Sequence, residues 1–364
     1  MAQVEIDNQT PFVVEPLYLL DEQSRDALTV VAKATFNIHN GQPATLAEHQ
    51  QPLCLAGELW PPTDASSTEE PCYLCEPEIA PYKPYTDLAV VAHAYAPNTR
   101  TTVMDVGVQI GAVRQQARVF GNRVWFKSTL GLTMTAPMPF ERLPLSYQYA
   151  FGGWDRSADD AMRHDCELRN PVGRGFFARH YRFLEERPAP NLEDPGHAIR
   201  SPEDRPAPVG FGFVSPNWSP RKERAGTCDA AWKKSRSPRL PEDFDARFFS
   251  AASPGLVMPR FLRGGEAILT SGMTPEGVFD IRLPKVATST ATVVRRGKAD
   301  HRLTLVLDTV LVRMDARQVL MLFRACMPLP GGPHELRAVR VTGPTAVDLQ
   351  PQPKILSARD AQPR

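Results

Sequence analysis

Residues 147–256 constrain this chain more than any other part of it. They contain YQYAFGGWD, RNPVGRGFF, APNLEDP, PAPVGFG and WSPRKERAGTCDAAWKKSRSPRLPEDFDARFF. Gly, Pro, Asn, Trp and Arg stand where neither a 3.6-residue nor a two-residue hydrophobic period would place them. Such residues fix turns and special backbone angles. A long irregular stretch inside a folded chain is functional or disordered. The repeated pairing of aromatic residues with glycines points to an ordered, built surface.

Proline accounts for 36 of 364 residues, about twice the usual ~5%. Together with 23 glycines, that argues against a mainly helical protein and for short strands joined by stiff turns. A hydrophobic content of 42% leaves ample material for a core, and a net charge of +1 gives no global pull toward nucleic acid or a membrane surface. The first residues, MAQVEIDNQTPF, lack the basic-then-apolar pattern of a secretory signal, and no stretch approaches the ~18 apolar residues of a membrane span. Six scattered cysteines (54, 72, 75, 166, 228, 326) fit reduced thiols better than a disulfide scaffold. These features predict a cytoplasmic protein with no membrane insertion and no nucleic-acid partner.

The segments flanking the irregular stretch carry strand patterns. Residues 28–38 alternate, with Leu28, Val30, Ala32, Ala34, Phe36 and Ile38 on one face, which predicts a half-buried strand. Residues 88–95 and 101–110 follow. Residues 116–120 and 123–126 flank Gly121-Asn122, the signature of a tight hairpin. Toward the C-terminus, 266–270, 278–283 and 291–295 read as strands. Residues 302–314 and 317–326 form a hairpin turning at Asp315-Ala316, apolar on both faces and therefore central. Residues 336–341 make a last strand. The predicted fold is mainly β, in sandwich-like layers, with a long irregular Gly/Pro-rich central segment and a few short helices. Its regions are 1–146 (β), 147–256 (irregular), 257–346 (β) and a frayed tail, 347–364. Within 147–256, Thr227 is placed to cap a helix over 228–236, and Pro241 to start another.

A search for chemistry yields little. There is no G-x-S-x-G elbow, no H-E-x-x-H and no Walker loop. The G-x-G-x-x-A match at 173–178 follows the turn Arg169-Asn170-Pro171 rather than a strand, so it lacks the context of a dinucleotide fingerprint. Cys72 and Cys75 have zinc-knuckle spacing, but no second C-x-x-C completes four ligands. No catalytic residue, metal or cofactor is assigned. Asp155, His164, Asp165, Glu167 and His180 form a polar group that an enzyme could use or that could simply be solvated. Arg174, between two glycines, suits either an anion-binding nest or a tight turn. Gly173 is expected at positive φ, where a β-branched residue is poorly tolerated. Trp154, Trp218 and Trp232 read equally as interface anchors or core plugs. Residues 221–239 carry seven basic and two acidic side chains around Trp232.

One resemblance draws these motifs together. The chain resembles a family of unknown-function domains encoded beside bacterial type VI secretion genes. The match rests on Tyr149-Ala150-Phe151-Gly152-Gly153-Trp154-Asp155, Asn170-Pro171-Val172-Gly173-Arg174-Gly175-Phe176 and Pro190-Asn191-Leu192-Glu193. It continues through Pro208-Val209-Gly210-Phe211-Gly212, Trp218 to Arg221, Ala225-Gly226-Thr227-Cys228-Asp229 with Trp232, and Pro238-Arg239-Leu240-Pro241-Glu242-Asp243-Phe244-Asp245. Two departures stand out: the family often has an aromatic residue where Cys228 sits, and the pentapeptide repeats of some relatives do not occur in these 364 residues.

The resemblance implies an adaptor or chaperone that binds a type VI effector, or the PAAR or spike protein that carries it, and keeps it soluble for loading. A hydrolase using the polar group, and a secreted structural component of the spike, are the alternatives. Contact or structural residues on the adaptor reading are Gly152, Gly153, Trp154, Asp155, Asn170, Pro171, Gly173, Arg174, Gly175, Trp218, Trp232, Asp243 and Phe244.

Overall fold

The computed structural model describes residues 4–62, 72–129 and 131–349. The protein is mainly β, as the alternating patterns predict, and Ala230–Ser235 is the one α-helix among the described residues. None of these helical segments is long and apolar enough to cross a membrane. The frayed tail expected over 347–364 falls outside the described residues from 350 onward.

Three sheets carry the architecture. The largest runs in the order Val13–Leu20, Asp26–Asn37, Gln318–Pro328, Val306–Arg313, Asp87–Val91, with Thr45–Leu46 paired beside Asp26–Asn37. Its last neighbours, Val306–Arg313 and Asp87–Val91, are parallel, and the other pairs are antiparallel. A second sheet has the order Leu192–Glu193, Val113–Phe120, Val103–Ile110, Ala267–Ser271, Val278–Arg282. A third has Glu5–Asn8, Leu336–Thr342, Thr290–Arg295, His301–Thr304. Every one of these sheets joins strands from before residue 147 to strands from after residue 256. The two flanking β regions are therefore halves of common sheets, and one continuous apolar core runs through them.

The structure corrects four local expectations. The strand predicted as half-buried over 28–38 is Asp26–Asn37, and it is buried on both faces. Its polar side is covered by the chain at 50–52 and 78–81, which satisfies it group by group. Thr29 donates to Pro81 O at 3.0 Å, and Lys33 Nζ reaches Pro52 O at 2.9 Å and Glu78 at 2.8 Å.

The hairpin predicted at Gly121-Asn122 does not form. Val113–Phe120 instead turns at Gly111 to pair with Val103–Ile110, and Val124–Ser128 pairs with Gly131–Met134 and Arg187–Pro188. Gly121 is needed for close approach, because a Cβ there would collide with the Met138 carbonyl. The single long strand read over 302–314 breaks at Leu305, sending His301–Thr304 to the third sheet and Val306–Arg313 to the first. Its hairpin at Asp315-Ala316 is present, closed by Arg317 at φ 52°.

Finally, the helix predicted to start at Thr227 is capped by Asp229, whose carboxylate accepts from Trp232 N at 2.8 Å. Pro241 starts no helix. The following turn is a short 3-10 segment, Ala246–Phe249, capped by Asp245. Arg247 pairs with Asp245, and Asp243 holds Thr227.

Four ion pairs are buried on or beside the largest sheet: Lys33–Glu78 at 2.8 Å, Lys83–Asp87 at 2.6 Å, Arg324–Asp308 at 3.1 Å, and Arg221–Glu76. Breaking one such pair strands a desolvated charge and costs about 3–5 kcal/mol, whereas replacing both partners by apolar groups is far cheaper. Glu78→Ala is therefore expected to lose about 3–5 kcal/mol of unfolding free energy in urea, and Lys33→Met/Glu78→Leu to lose clearly less. A double variant as unstable as the single one would contradict this account of the pair.

Candidate functional site

The irregular segment folds because its backbone is clasped at one point. After the 3-10 turn Tyr147–Tyr149, the short strand Phe151–Gly152 runs parallel to Arg174–Gly175. Between them sits Asn170, fully buried. Its Nδ2 donates to Tyr147 O at 2.8 Å and Phe151 O at 2.9 Å. Its own carbonyl accepts from Gly153 N at 2.9 Å and Gly173 N at 3.2 Å. One residue thus satisfies four backbone groups that no ladder serves, which is the accounting every buried loop must meet.

The glycines of the motif follow from this geometry. Gly152 and Gly153 lie at φ 149° and 95°, which side-chain-bearing residues seldom adopt. Gly173 departs from expectation, since it is not at positive φ. It must be glycine because a Cβ would stand 2.6 Å from Ala150 O and overlap Asn170 Nδ2. Pro171 begins the turn between Asn170 and Gly173 and is half-buried.

Arg174 is no anion nest. Its amide donates to Ala150 O at 3.0 Å, Gly173 N is held by Asn170, and Phe176 N donates to Gly152 O, so these backbone donors are spent. The Arg174 guanidinium reaches Gln148 O at 2.9 Å and Asn191 Oδ1 at 3.3 Å and lies 4.3 Å from the Tyr149 ring. Asn191 extends the clasp to the second sheet: its Nδ2 donates to Phe120 O at 3.0 Å, and Leu192–Glu193 pairs with Arg118 and Val119. Glu193 meets Arg123 at 2.6 Å, both buried. Asn191, Glu193 and Arg123 were not among the residues expected to matter. The signal was present in the Pro-Asn-Leu-Glu motif, an Asn and a Glu beside strand-forming Leu192.

The segment's aromatic residues divide between the main core and one smaller cluster. Trp218, one of the ambiguous tryptophans, is a core plug: it is buried edge-on against Tyr147 at 5.4 Å. Trp125, Phe151, Phe176 and Phe177 form a separate aromatic cluster, with Trp125 and Phe177 at 5.6 Å. Such edge-to-face pairs add about 0.5–1.5 kcal/mol each beyond the area they bury.

Asp155 is buried beside this cluster. Its carboxylate accepts from Ser157 N at 3.0 Å and Ala178 N at 2.9 Å and pairs with Arg187 at 3.2 Å. Burial alone would raise its pKa. The hydrogen bonds from Ser157 and Ala178, with the charge of Arg187, outweigh that and hold the carboxyl below its ordinary range.

The remaining expected residues face outward or lie apart from the clasp. Trp154 is 50% exposed, with Arg156 4.8 Å from its ring. Trp232 is half-buried, its Nε1 donating to Arg239 O at 2.8 Å. Asp243 fastens Thr227 through both its amide and hydroxyl, and Phe244 packs on Phe248 and Phe249 at 5.8 and 5.3 Å. Trp232, Asp243 and Phe244 thus hold a second, more exposed lobe that carries Lys233 and Lys234 on the helix Ala230–Ser235.

The polar group considered for catalysis is divided among separate bonds. His164 Nε2 lies 3.1 Å from Ala158 O, Glu167 binds Arg169 in a fork at 2.7 Å, Asp165 accepts from Cys166 N, and His180 is exposed. Among the described residues no three His, Cys, Asp or Glu side chains gather closely enough to hold a metal ion. Cys72 and Cys75 are buried, and burial pushes the Cys72 thiol up to about 11 and Cys75 up further, away from thiolate chemistry.

The segment also exposes large apolar side chains. Besides Trp154, the side chains of Met162 (90% exposed), Leu168 (62%) and Leu184 (66%) stand in solvent within the same stretch. The two-residue strand carrying Trp154 pairs with Asp165–Cys166, so Leu168 follows two residues after the cross-strand partner of Trp154.

A family model described as "uncharacterized protein conserved in bacteria (DUF2169)" matches residues 23–324, most of the chain. The chain belongs to this bacterial DUF2169 family. The match spans the whole clasp, the aromatic cluster and the exposed stretch, so these are features of a family member's fold. No curated protein and no solved structure matches the chain.

Asn170→Ala removes both side-chain bonds, leaving Phe151 O without its donor and Tyr147 O with Ala150 N alone, at about 1–3 kcal/mol for a buried carbonyl left unpaired. The expected loss is about 2–4 kcal/mol in urea unfolding, and Gly173→Ala should fail similarly through its clash with the same amide. Wild-type stability in both would refute the clasp. Asp155 makes a pH prediction. A carboxyl held below its unfolded pKa of about 3.9 stabilises the fold above that pH, and the contribution is lost as pH falls through the folded value. Asp155→Asn should therefore flatten the fall of stability below about pH 4, measured by denaturant unfolding at several acidic pH values.

Proposed function

We propose that the protein is a cytoplasmic adaptor or chaperone of type VI secretion. It would hold an effector, or the PAAR or spike protein that carries it, through the outer surface of 147–256. The observation that carries this reading is the exposure of Trp154, Met162, Leu168 and Leu184 in the segment that Asn170 clasps at Tyr147, Phe151, Gly153 and Gly173. Apolar side chains left in water on a rigid frame suit recognition of a protein, because few degrees of freedom are lost on binding. The resemblance to proteins encoded beside type VI secretion genes supports the choice of partner, and the segment's motifs, which carry that resemblance, build this same frame.

The neighbouring lobe adds a preference. Lys222, Lys233, Lys234 and Arg239 are exposed around Trp232, which favours a contact surface that is apolar with an acidic margin. The buried and backbone-shaping residues then serve as scaffold, and the exposed ones as contacts. Asn170, Gly173, Arg174 and Trp218 belong to the first group, Trp154 to the second.

Large anchors at interfaces are typically worth about 2 kcal/mol or more each, roughly thirtyfold in affinity. Trp154→Ser/Leu168→Ser should therefore keep its melting temperature yet bind the effector or PAAR protein encoded beside it at least about thirtyfold more weakly, measured by calorimetry with the purified pair. Undiminished binding by a folded double variant would place the interface elsewhere.

A further inference from the structure

Two thiols stand side by side on the chain that covers the largest sheet. Cys75 ends the short strand Tyr73–Cys75 and is buried, whereas Cys54 is half-buried. The Cys54 sulfur lies 3.8 Å from the Cys75 carbonyl oxygen. The Cys75 sulfur is within hydrogen-bonding reach of the Cys54 thiol.

One residue holds both in place. Glu78 Oε2 accepts from Cys54 N at 2.7 Å, and Glu78 N donates to Cys54 O at 2.8 Å. Glu78 Oε1 accepts from the Cys75 thiol at 3.9 Å and meets Lys33 at 2.8 Å. The backbone beside each sulfur is thus fixed before any bond joins them. Cys72 is spaced for a pair with Cys75 but is turned away from it. Positions three apart on extended chain point to opposite faces, and the Cys72 thiol sits among Gln148, Ser146 and Tyr147.

The surroundings give the two sulfurs different tasks. Burial, the Glu78 carboxylate and the neighbouring Cys54 push the Cys75 thiol up, against a smaller opposite pull from Lys33. Cys75 therefore waits as a protonated thiol. Cys54 is the member of the pair that solvent reaches.

We propose that Cys54 and Cys75 form a reversible disulfide, made by a hydroperoxide and undone by small thiols, that staples the chain covering Lys33. The Cys54 sulfur attacks one peroxide oxygen. The O–O bond breaks, Cys54 becomes a sulfenic acid, and an alcohol (water, from hydrogen peroxide) leaves with the thiol proton. The Cys75 sulfur then attacks the Cys54 sulfur. The S–O bond breaks, the S–S bond forms, and the Cys75 proton passes by way of Glu78 Oε1 to the departing hydroxyl, which leaves as water. Two electrons have moved from the thiol pair to the peroxide. Two external thiols reverse the bond by exchange and are themselves joined. The pair does not depend on the adaptor reading.

The test treats the whole reduced chain with hydrogen peroxide, blocks the remaining thiols and maps the peptides by mass spectrometry. Exposed Cys228 reports that the oxidant was active. The expected map joins Cys54 to Cys75, and dithiothreitol separates them. The linked chain should melt about 2–5 °C above the reduced one, because the bond restricts the unfolded chain. Cys54→Ser leaves the buried Cys75 and Glu78 in place. It should melt like the reduced wild type and gain no such rise after the same treatment. A link between Cys72 and Cys75 overturns the proposal, as does oxidation of Cys228 with Cys54 and Cys75 still free. So do a Cys54 carried on to sulfinic acid beside a free Cys75, or a linked chain that melts no higher than the reduced one.

Discussion

The carboxamide of Asn170 is the contact on which the rest of this structure depends. Irregular chain can be buried only if its amides and carbonyls find partners, and the two-residue strands here supply only some of them. Asn170 supplies four at once, two through its side chain and two through its carbonyl. No other side chain of that length offers two amide donors with the same reach. Around it, Gly173 gives up its side chain so that the amide can sit against Ala150 O, and Gly152 and Gly153 take angles that other residues avoid. The result is a stretch with little regular structure that still contributes Tyr147, Ala150, Val172, Leu192, Phe211 and Trp218 to the main core.

A second constraint acts on the sheets. Asp26–Asn37 and Val306–Arg313 are covered on both faces, so their polar residues cannot be solvated. The chain meets this with ion pairs that reach across the fold, from Lys33 to Glu78 and from Arg324 to Asp308. Ion pairs of this kind add little net stability, but each partner becomes indispensable to the other. They tie the chain around 76–87 and the central segment to the sheet. The clasp and the ion pairs thus divide the work. One orders the segment that faces outward, and the other seats it on the sheet beneath.

Much of this was legible in the residues, and the failures share a cause. Strands showed wherever alternation or continuous apolar runs stood alone, as in 302–314 and 317–326. The irregular segment showed through its Gly, Pro and Asn content, and Gly152 and Gly153 lie at positive φ while Gly173 does not. Sequence periodicity could not show that Asp26–Asn37 would be covered on its polar face, because the covering chain is some fifty residues away in sequence at Glu78 and Pro81. Gly121-Asn122 carried the local signature of a hairpin, but the close passage of Met138 dictated that glycine. Thr227 and Asp229 were both able to cap, and the distant Asp243 took Thr227. In each case a contact remote in sequence overrode a correct local preference. The exposed apolar residues were illegible for a different reason: a single Met or Leu in a polar loop is as often buried as exposed, and only the fold distinguishes the two.

An adaptor that presents a preformed face gains affinity because its ordering cost is met during folding. On this account the stretch carrying Trp154 and Leu168 is fixed in the free protein. Native-state hydrogen exchange on the isolated chain tests this most directly, read at the amides of Gly153, Gly173 and Arg174. The account predicts that these amides exchange with protection close to that of core-strand amides such as Leu320 and Val310, opening only with global unfolding. Exchange at near-unprotected rates in the free chain, slowed only when a partner is bound, would contradict it and make the segment one that folds on its target.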